Sequence, residues 1–263
     1  MDLGIKGKVA VVAAASKGLG KEVAISLAKE GANLVICARG EKELTKTAKE
    51  IEDRFKVKIF SFTCDVTKRE DIEKFKDFVI DKFKTVHMLF INAGGPPPGG
   101  FFDFGPEDYS KAIKLNLMSA IYLTYSFVPY MKEQKYGRIV ASTSITVKQP
   151  LKNLILSNVS RTGVVSFIKS LSTEVAPYNI TANCVAPGYT MTDRVRKLME
   201  DKAKRENISV DEALKTITKD IPMGRIGDPS EFADVVTFLL SERASYITGA
   251  TIQIDGGYYK GLM

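Results

Sequence analysis

Lys8 to Lys29 reads KVAVVAAASKGLGKEVAISLAK, and this stretch decides the fold. Its first part, Lys8 to Ala15, is a short unbroken apolar run, the pattern of a strand buried on both faces of a parallel sheet. A turn containing Gly18 and Gly20 follows. From Lys21 to Lys29 the apolar residues Val23, Ala24, Leu27 and Ala28 recur at helical spacing. Gly31 is the expected stop of that helix.

The same rhythm continues along the chain. Further strands are expected at Asn33 to Ala38, Lys58 to Thr63, Met88 to Asn92, Gly137 to Ser142, Thr181 to Val185 and Thr251 to Asp255. Helices are expected at Glu41 to Phe55, Asp71 to Phe83, Glu107 to Glu133, Leu154 to Val175 and Pro229 to Leu240. Strands alternating with helices imply an α/β protein: a three-layer Rossmann fold with a doubly wound parallel sheet and right-handed crossovers, in a single domain over residues 1–263. In such sheets ligands bind beyond the carboxyl ends of the strands, so the search for a site narrows to the strand–helix turns.

Composition removes other classes. Hydrophobic residues make up 44% of the 263 and charged ones 26%, which excludes disorder and collagen-like repeats. The cysteines Cys37, Cys64 and Cys184 are odd in number and far apart, arguing for a reduced, cytoplasmic setting rather than a disulfide framework. No uncharged apolar run reaches the ~18 residues of a membrane span, and the first eight residues lack the apolar middle of a signal peptide. No membrane association is expected. The formal net charge is +7, which raises nucleic acid, an anionic membrane or an acidic ligand as partners. No nucleic-acid motif is present and Trp is absent, so nucleic acid is not expected. The excess is instead concentrated: from Met131 to Thr173 there are seven basic residues, Lys148, Lys152 and Arg161 among them, against Glu133 alone.

The first turn, Ala13-Ala14-Ala15-Ser16-Lys17-Gly18-Leu19-Gly20, suits a nucleotide. A backbone that approaches a pyrophosphate and then opens a helix toward it favours glycine, here Gly18 and Gly20. Lys17 sits where an ammonium reaches a phosphate. At the end of the second strand a carboxylate would hold a ribose 2′-hydroxyl, whereas a basic residue accepts a 2′-phosphate; the chain has Arg39. NADP is therefore expected, with NAD as the alternative.

At this point the residues carry a resemblance. From about Lys6 to Gly257 the chain resembles a short-chain dehydrogenase/reductase, and within that family it is 3-oxoacyl-ACP-reductase-like. The turn is similar to the family's TGxxxGxG, with Ala13-Ala14 where Thr-Gly is usual. The resemblance implies cofactor contacts from Ala14, Ser16, Lys17, Gly18, Leu19 and Arg39, then from Asp65 and Val66, where the aspartate bonds the adenine amino group. Asn92-Ala93-Gly94 matches the NAG motif near the adenine ribose, and Pro187, Gly188, Thr190 and Thr192 resemble the PGxxxT segment that holds the nicotinamide amide. Alanine lacks glycine's freedom at positive φ, so Ala14 is expected in an ordinary conformation, with altered rather than lost pyrophosphate contacts. A homotetramer with its longest helices at the interface is also implied.

The catalytic centre departs from the family. Carbonyl reduction needs a hydride donor, an oxyanion partner and a proton source. The family supplies an asparagine, matched by Asn116, a serine after the fifth strand, matched by Ser144, and Tyr-x-x-x-Lys on one helix face. Aligning Ser160-Arg161-Thr162-Gly163-Val164 with the usual S-K-A-A-V run places Arg161 at the lysine, which also binds the nicotinamide ribose, and Ser157 at the tyrosine. No tyrosine occurs between Tyr136 and Tyr178, so no register slip restores the motif. Arg161 keeps a permanent charge, but a serine hydroxyl is shorter than a phenol of pKa ~10 and a far weaker acid. Three substitutes are open: a water chain on Ser157, Ser144 and Asn116, the ammonium of Lys148, or the phenol of Tyr189.

The expected activity is an NADP(H)-dependent oxidoreductase on a small alcohol/carbonyl substrate, anionic in view of the local basic charge. The alternative is a catalytically impaired dinucleotide-binding protein of the same fold. His87 is the one histidine, and no metal site is expected around it. The stiff loop Pro96-Pro97-Pro98-Gly99-Gly100, backed by Phe101 and Phe102, is expected to line the substrate mouth, and about residues 192–225 to form a substrate lid.

Overall fold

The computed structural model describes residues 2–262. Strands β1 (Val9–Ala13), β2 (Asn33–Ala38), β3 (Ile59–Thr63), β4 (Met88–Ile91), β5 (Gly137–Ser142), β6 (Ile180–Pro187) and β7 (Thr251–Ile254) form one sheet. Its order is β3-β2-β1-β4-β5-β6-β7 and every pairing is parallel. The helices are α1 (Gly18–Lys29), α2 (Glu41–Phe55), α3 (Arg69–Phe83), α4 (Pro106–Ile113), α5 (Ser119–Glu133), α6 (Ile155–Val175), α7 (Asp193–Glu206), α8 (Val210–Thr218) and α9 (Pro229–Leu239).

The strands read as unbroken apolar runs because both faces are covered. Along β1, Ala10 and Val12 pack with Leu27 of α1, Ile51 of α2 and Phe232 of α9, while Val11 and Ala13 pack with Phe75 of α3, Phe127 of α5 and Ile168 of α6. This is the three-layer, doubly wound architecture expected. The chain winds outward from β1 to β3, then crosses back to lay β4 against the other edge of β1, with Val11 opposite Leu89. The reversal opens a crevice beyond the carboxyl ends of β1 and β4, where Ala14–Gly18 and Asn92–Gly94 lie.

Several boundaries differ for physical reasons. Helix α1 starts at Gly18 rather than Lys21, so both turn glycines belong to its first turn. The single helix expected over Glu107 to Glu133 is α4 and α5 joined by a π-helical turn, Lys114–Met118, in which the Ser119 N–H reaches back to Lys114 O. Strand β6 runs to Pro187 because Ala186 and Pro187 go on pairing with Gln253 and Ile254 of β7 after the β5 pairing ends at Val185. Among the described residues no helix is long and apolar enough to cross a membrane.

Candidate active site

The cofactor end is built by the β1–α1 turn. Ala14 has φ 52° and Gly18 φ 58°. The expectation of an ordinary Ala14 conformation is thus overturned: alanine occupies the left-handed region that glycine tolerates best. The turn imposes this because α1 comes so close that a Cβ on Gly20 would strike the Ala14 carbonyl and lie 3.0 Å from Asn92 Nδ2. Ser16 is tied to α2, its carbonyl accepting from Thr47 Oγ1 at 3.0 Å.

Lys17 is the N-cap of α1, with no side-chain cap and no acidic residue in the first turn. The first N–H groups of α1 therefore face outward without a side-chain acceptor, at the positive end of the helix dipole. These residues fit a pyrophosphate. Thr192 faces them across a cleft of about 400 Å³, with a methyl carbon 3.7 Å from where a Gly18 Cβ would stand. Lys21 and Lys46 line the cleft beside Lys17, and so do Glu22 and Glu43. Burial pushes the Glu22 carboxyl above its ordinary value, and Asp228 and Glu50 add to this against Lys21 and Arg54.

At the adenine end, Cys64 N–H bonds Ala38 O at 3.0 Å, bringing the segment after β3 against the end of β2. Asp65 Oδ1 accepts from Thr67 N–H at 3.0 Å and from Thr67 Oγ1 at 2.8 Å. Partial burial works to raise the Asp65 carboxyl, but those two bonds and the nearby Arg39 charge outweigh it and hold the group below its ordinary value. Val66 is buried in the core, and Arg39 is exposed just past β2.

A second cluster lies where β5 meets α6. Asn116, in the π turn, is buried and bonded through both ends of its amide: Nδ2 donates to Gly94 O at 3.1 Å and Oδ1 accepts from Ser160 Oγ at 2.9 Å. It straps the Asn92–Gly94 segment to α6. Arg161 is buried, and its Nη1 donates to Ser142 O at 3.2 Å and Thr143 O at 3.0 Å. Ser144 caps the 3₁₀ turn Ile145–Val147, its Oγ accepting from Thr146 N–H at 3.3 Å. Ser157 lies in the first turn of α6, with its Oγ 3.5 Å from Thr146 Oγ1. The structure thus gathers Asn116, Ser144, Ser157 and Arg161 around the end of β5. Thr146 and Ser160 join them, although sequence reasoning passed over both; hydroxyls two positions from Ser144 and one from Arg161 were the available signal. The 400 Å³ cleft is lined by Ser16, Lys17, Gly18 and Thr192 but stops short of this cluster.

Pro187 ends β6, and a Cβ on Gly188 would stand 2.8 Å from the Asp255 side chain, which keeps this turn close to the end of β7. Thr190 is buried beside Gly227, and Thr192 caps α7, accepting from Val195 N–H at 3.4 Å. Of the other proton sources, Tyr189 stands edge-on to Tyr258 at 5.8 Å. Burial, then Tyr258 and Asp220, push its phenol above the ordinary value, making it a weaker acid than a free tyrosine. Lys148 is partly buried and ends the 3₁₀ turn, its N–H bonding Ile145 O at 3.0 Å.

The proline loop is clipped to the start of α6: Gly99 N–H bonds Asn153 O at 2.7 Å, and Ile155 N–H bonds Gly99 O at 3.3 Å. Phe101 and Phe102 stand exposed beside it. Helices α7 and α8 form a small cluster of their own around Met199, Ala203 and Ala213. His87 sits at the opposite end of the sheet, its Nδ1 accepting from Val9 N–H at 3.0 Å. All three cysteines are buried and unpaired.

Comparison with known proteins agrees with this fold. The sequence profile described as enoyl-(acyl carrier protein) reductase matches residues 13–259. The chain is 32% identical to dehydrogenase/reductase SDR family member 4 of Sus scrofa, over 96% of this chain and 88% of that protein. It is 30% identical to the 3-oxoacyl-acyl-carrier-protein reductase of Aquifex aeolicus, over 98% of this chain and all of that one. Among solved structures, L-sorbose reductase from Gluconobacter frateurii, complexed with NADPH and L-sorbose, superposes with a TM-score of 0.97 at 32% identity, covering 100% of both chains. Actinorhodin polyketide ketoreductase with NADPH superposes with a TM-score of 0.91 at 33% identity, covering 97% of this chain and 98% of that one.

Proposed function

The chain belongs to the short-chain dehydrogenase/reductase family, and from that premise we propose that it is an NADP(H)-dependent oxidoreductase interconverting a small alcohol and its carbonyl compound. The observation that carries this is the uncapped, acid-free N-terminus of α1, opposed by Thr192 across the cleft. Lys17 and Arg39 favour a 2′-phosphate over a bare ribose, and the sorbose reductase and the polyketide ketoreductase, similar along their whole length, were solved with NADPH. NAD is the alternative cofactor. When bound, the nicotinamide supplies or accepts the hydride.

The chain's own residues supply the rest. The aligned positions give Ser157 and Arg161 in place of the family's tyrosine and lysine. Arg161, anchored on two carbonyls at the end of β5, brings a permanent positive charge to the cluster. Preorganised charge of this kind lowers the energy of a developing oxyanion without reorganisation. Asn116 fixes the spacing between the Asn92–Gly94 segment and α6, and Ser144 offers a hydroxyl toward the reacting oxygen. Ser157 cannot itself act as the phenol does, so the proton comes through water held by the hydroxyls of the cluster. The helix pair at residues 192–225 serves as the lid and the proline loop as one wall of the mouth. Lys148, Lys152 and Arg161 favour an anionic substrate. A cytoplasmic homotetramer, with α5 and α6 at its interface, completes the reading.

One observation favours a second reading. Without a phenol at position 157, the same fold would serve as a dinucleotide-binding protein with slow or no turnover. A carbonyl panel followed by NADPH absorbance separates the two, with Ser144→Ala and Arg161→Ala as controls. Turnover that both substitutions leave intact would refute this site.

A further inference from the structure

Thr146 has no part in the family's motifs, yet it is 3% exposed and joins two hydroxyls of the cluster. We propose that Thr146 positions a proton-relaying water, held between its own hydroxyl and that of Ser157; this rests on the oxidoreductase reading above. Thr146 Oγ1 and Ser157 Oγ are 3.5 Å apart, against about 2.7–2.8 Å for an ordinary O–H···O bond. Each hydroxyl carries one donor and two acceptor sites, and a buried pair at this separation leaves most of them poorly filled. A shared third oxygen about 2.8 Å from each gives each hydroxyl one well-formed bond, the usual role of a buried water.

The surroundings suit a water that gives up a proton. Ser157 is in the first turn of α6, where the helix dipole favours negative charge and no acidic side chain opposes it. Arg161 follows one turn later on the same face. Thr146 also fixes Ser144 through its N–H, so one residue sets both hydroxyls relative to the end of β5.

The step balances. The carbonyl carbon takes the hydride and its oxygen becomes an alkoxide; one O–H bond of the water breaks as that proton joins the alkoxide oxygen. The hydroxide left behind is reprotonated from solvent through the Thr146 and Ser157 hydroxyls. One proton and one hydride are consumed for each alcohol formed.

The test compares wild type with Thr146→Val, which keeps the shape and removes the hydroxyl, and Thr146→Ser, which restores it. High-resolution crystals of the NADP⁺ complex should hold a water bonded to both Oγ atoms in wild type and Thr146→Ser, and none in Thr146→Val. Carbonyl reduction by Thr146→Val should lose roughly a hundredfold in kcat, the lower end of acid–base contributions. KM and NADPH affinity should stay unchanged, and the rate should rise more steeply toward low pH. Thr146→Ser should stay within about threefold of wild type. A wild-type complex without that water, or a Thr146→Val variant as fast as wild type, overturns the proposal. A wild type that binds NADPH but reduces no carbonyl overturns the oxidoreductase reading first, and the relay with it.

Discussion

The carbonyl of Ala14 and the Cα of Gly20 are in such close approach that no side chain fits between them. Ala14 reaches this position only at φ 52°, at a strain of about 1–2 kcal/mol for a residue with a Cβ. Ala14→Gly should therefore keep the turn and relieve the strain. The greater freedom of glycine in the unfolded chain returns roughly 0.4–1 kcal/mol of that gain. A net rise in Tm of about 1–2 °C is expected by thermal denaturation, with NADPH affinity retained. A lowered Tm would mean that the turn is unstrained.

Arg39 lies just past β2, near enough to Asp65 to help hold its carboxyl low. If it receives the 2′-phosphate, Arg39→Glu should weaken NADPH binding by at least roughly tenfold, the value of one charge-assisted bond. NADH affinity should hold or improve. Fluorescence titration of the two cofactors checks this, and an unchanged NADPH affinity would remove Arg39 from the site.

His87 gives a pH dependence remote from the chemistry. Burial, and then the charge of Lys8, hold the imidazole below its ordinary value, and Nδ1 accepts from Val9 N–H. Above about pH 6.5 the ring is neutral in both folded and unfolded chains, so its contribution is fully present. As the pH falls through that value the unfolded chain takes up a proton that the native one resists, and stability declines. Between about pH 7.5 and 5.5, wild type should lose more Tm than His87→Asn, whose amide oxygen can accept the same bond without titrating. Equal losses would show that His87 is not responsible.

The layers of the fold were legible where burial on both faces leaves no ambiguity. The bounds of β2, β5 and α2 agree with the apolar runs and the charged helical stripe to the residue. The left-handed Ala14 was not legible, because the contact between α1 and β1, rather than any local preference, imposes that backbone. Nor was the π turn: helical spacing from Glu107 to Glu133 reads as continuous, and periodicity does not register one wider turn. The placement of Asn116, Ser144, Ser157 and Arg161 followed from motif order, but their partners did not. Ser160 and Thr146 are ordinary hydroxyls in sequence; only the fold brings them against Asn116 and Ser157.

Arg161 carries the central claim: we propose it as the charge that meets the reacting oxygen, and its Nη1 is anchored on Ser142 O and Thr143 O. The most direct measurement follows NADPH absorbance with purified protein over matched neutral and carboxylated ketones, for wild type and Arg161→Ala. The expected result is turnover by wild type on at least one ketone, fastest with a carboxylated one, and a kcat lowered by roughly a hundredfold in the variant. Tight NADPH binding without turnover of any carbonyl by wild type would contradict it.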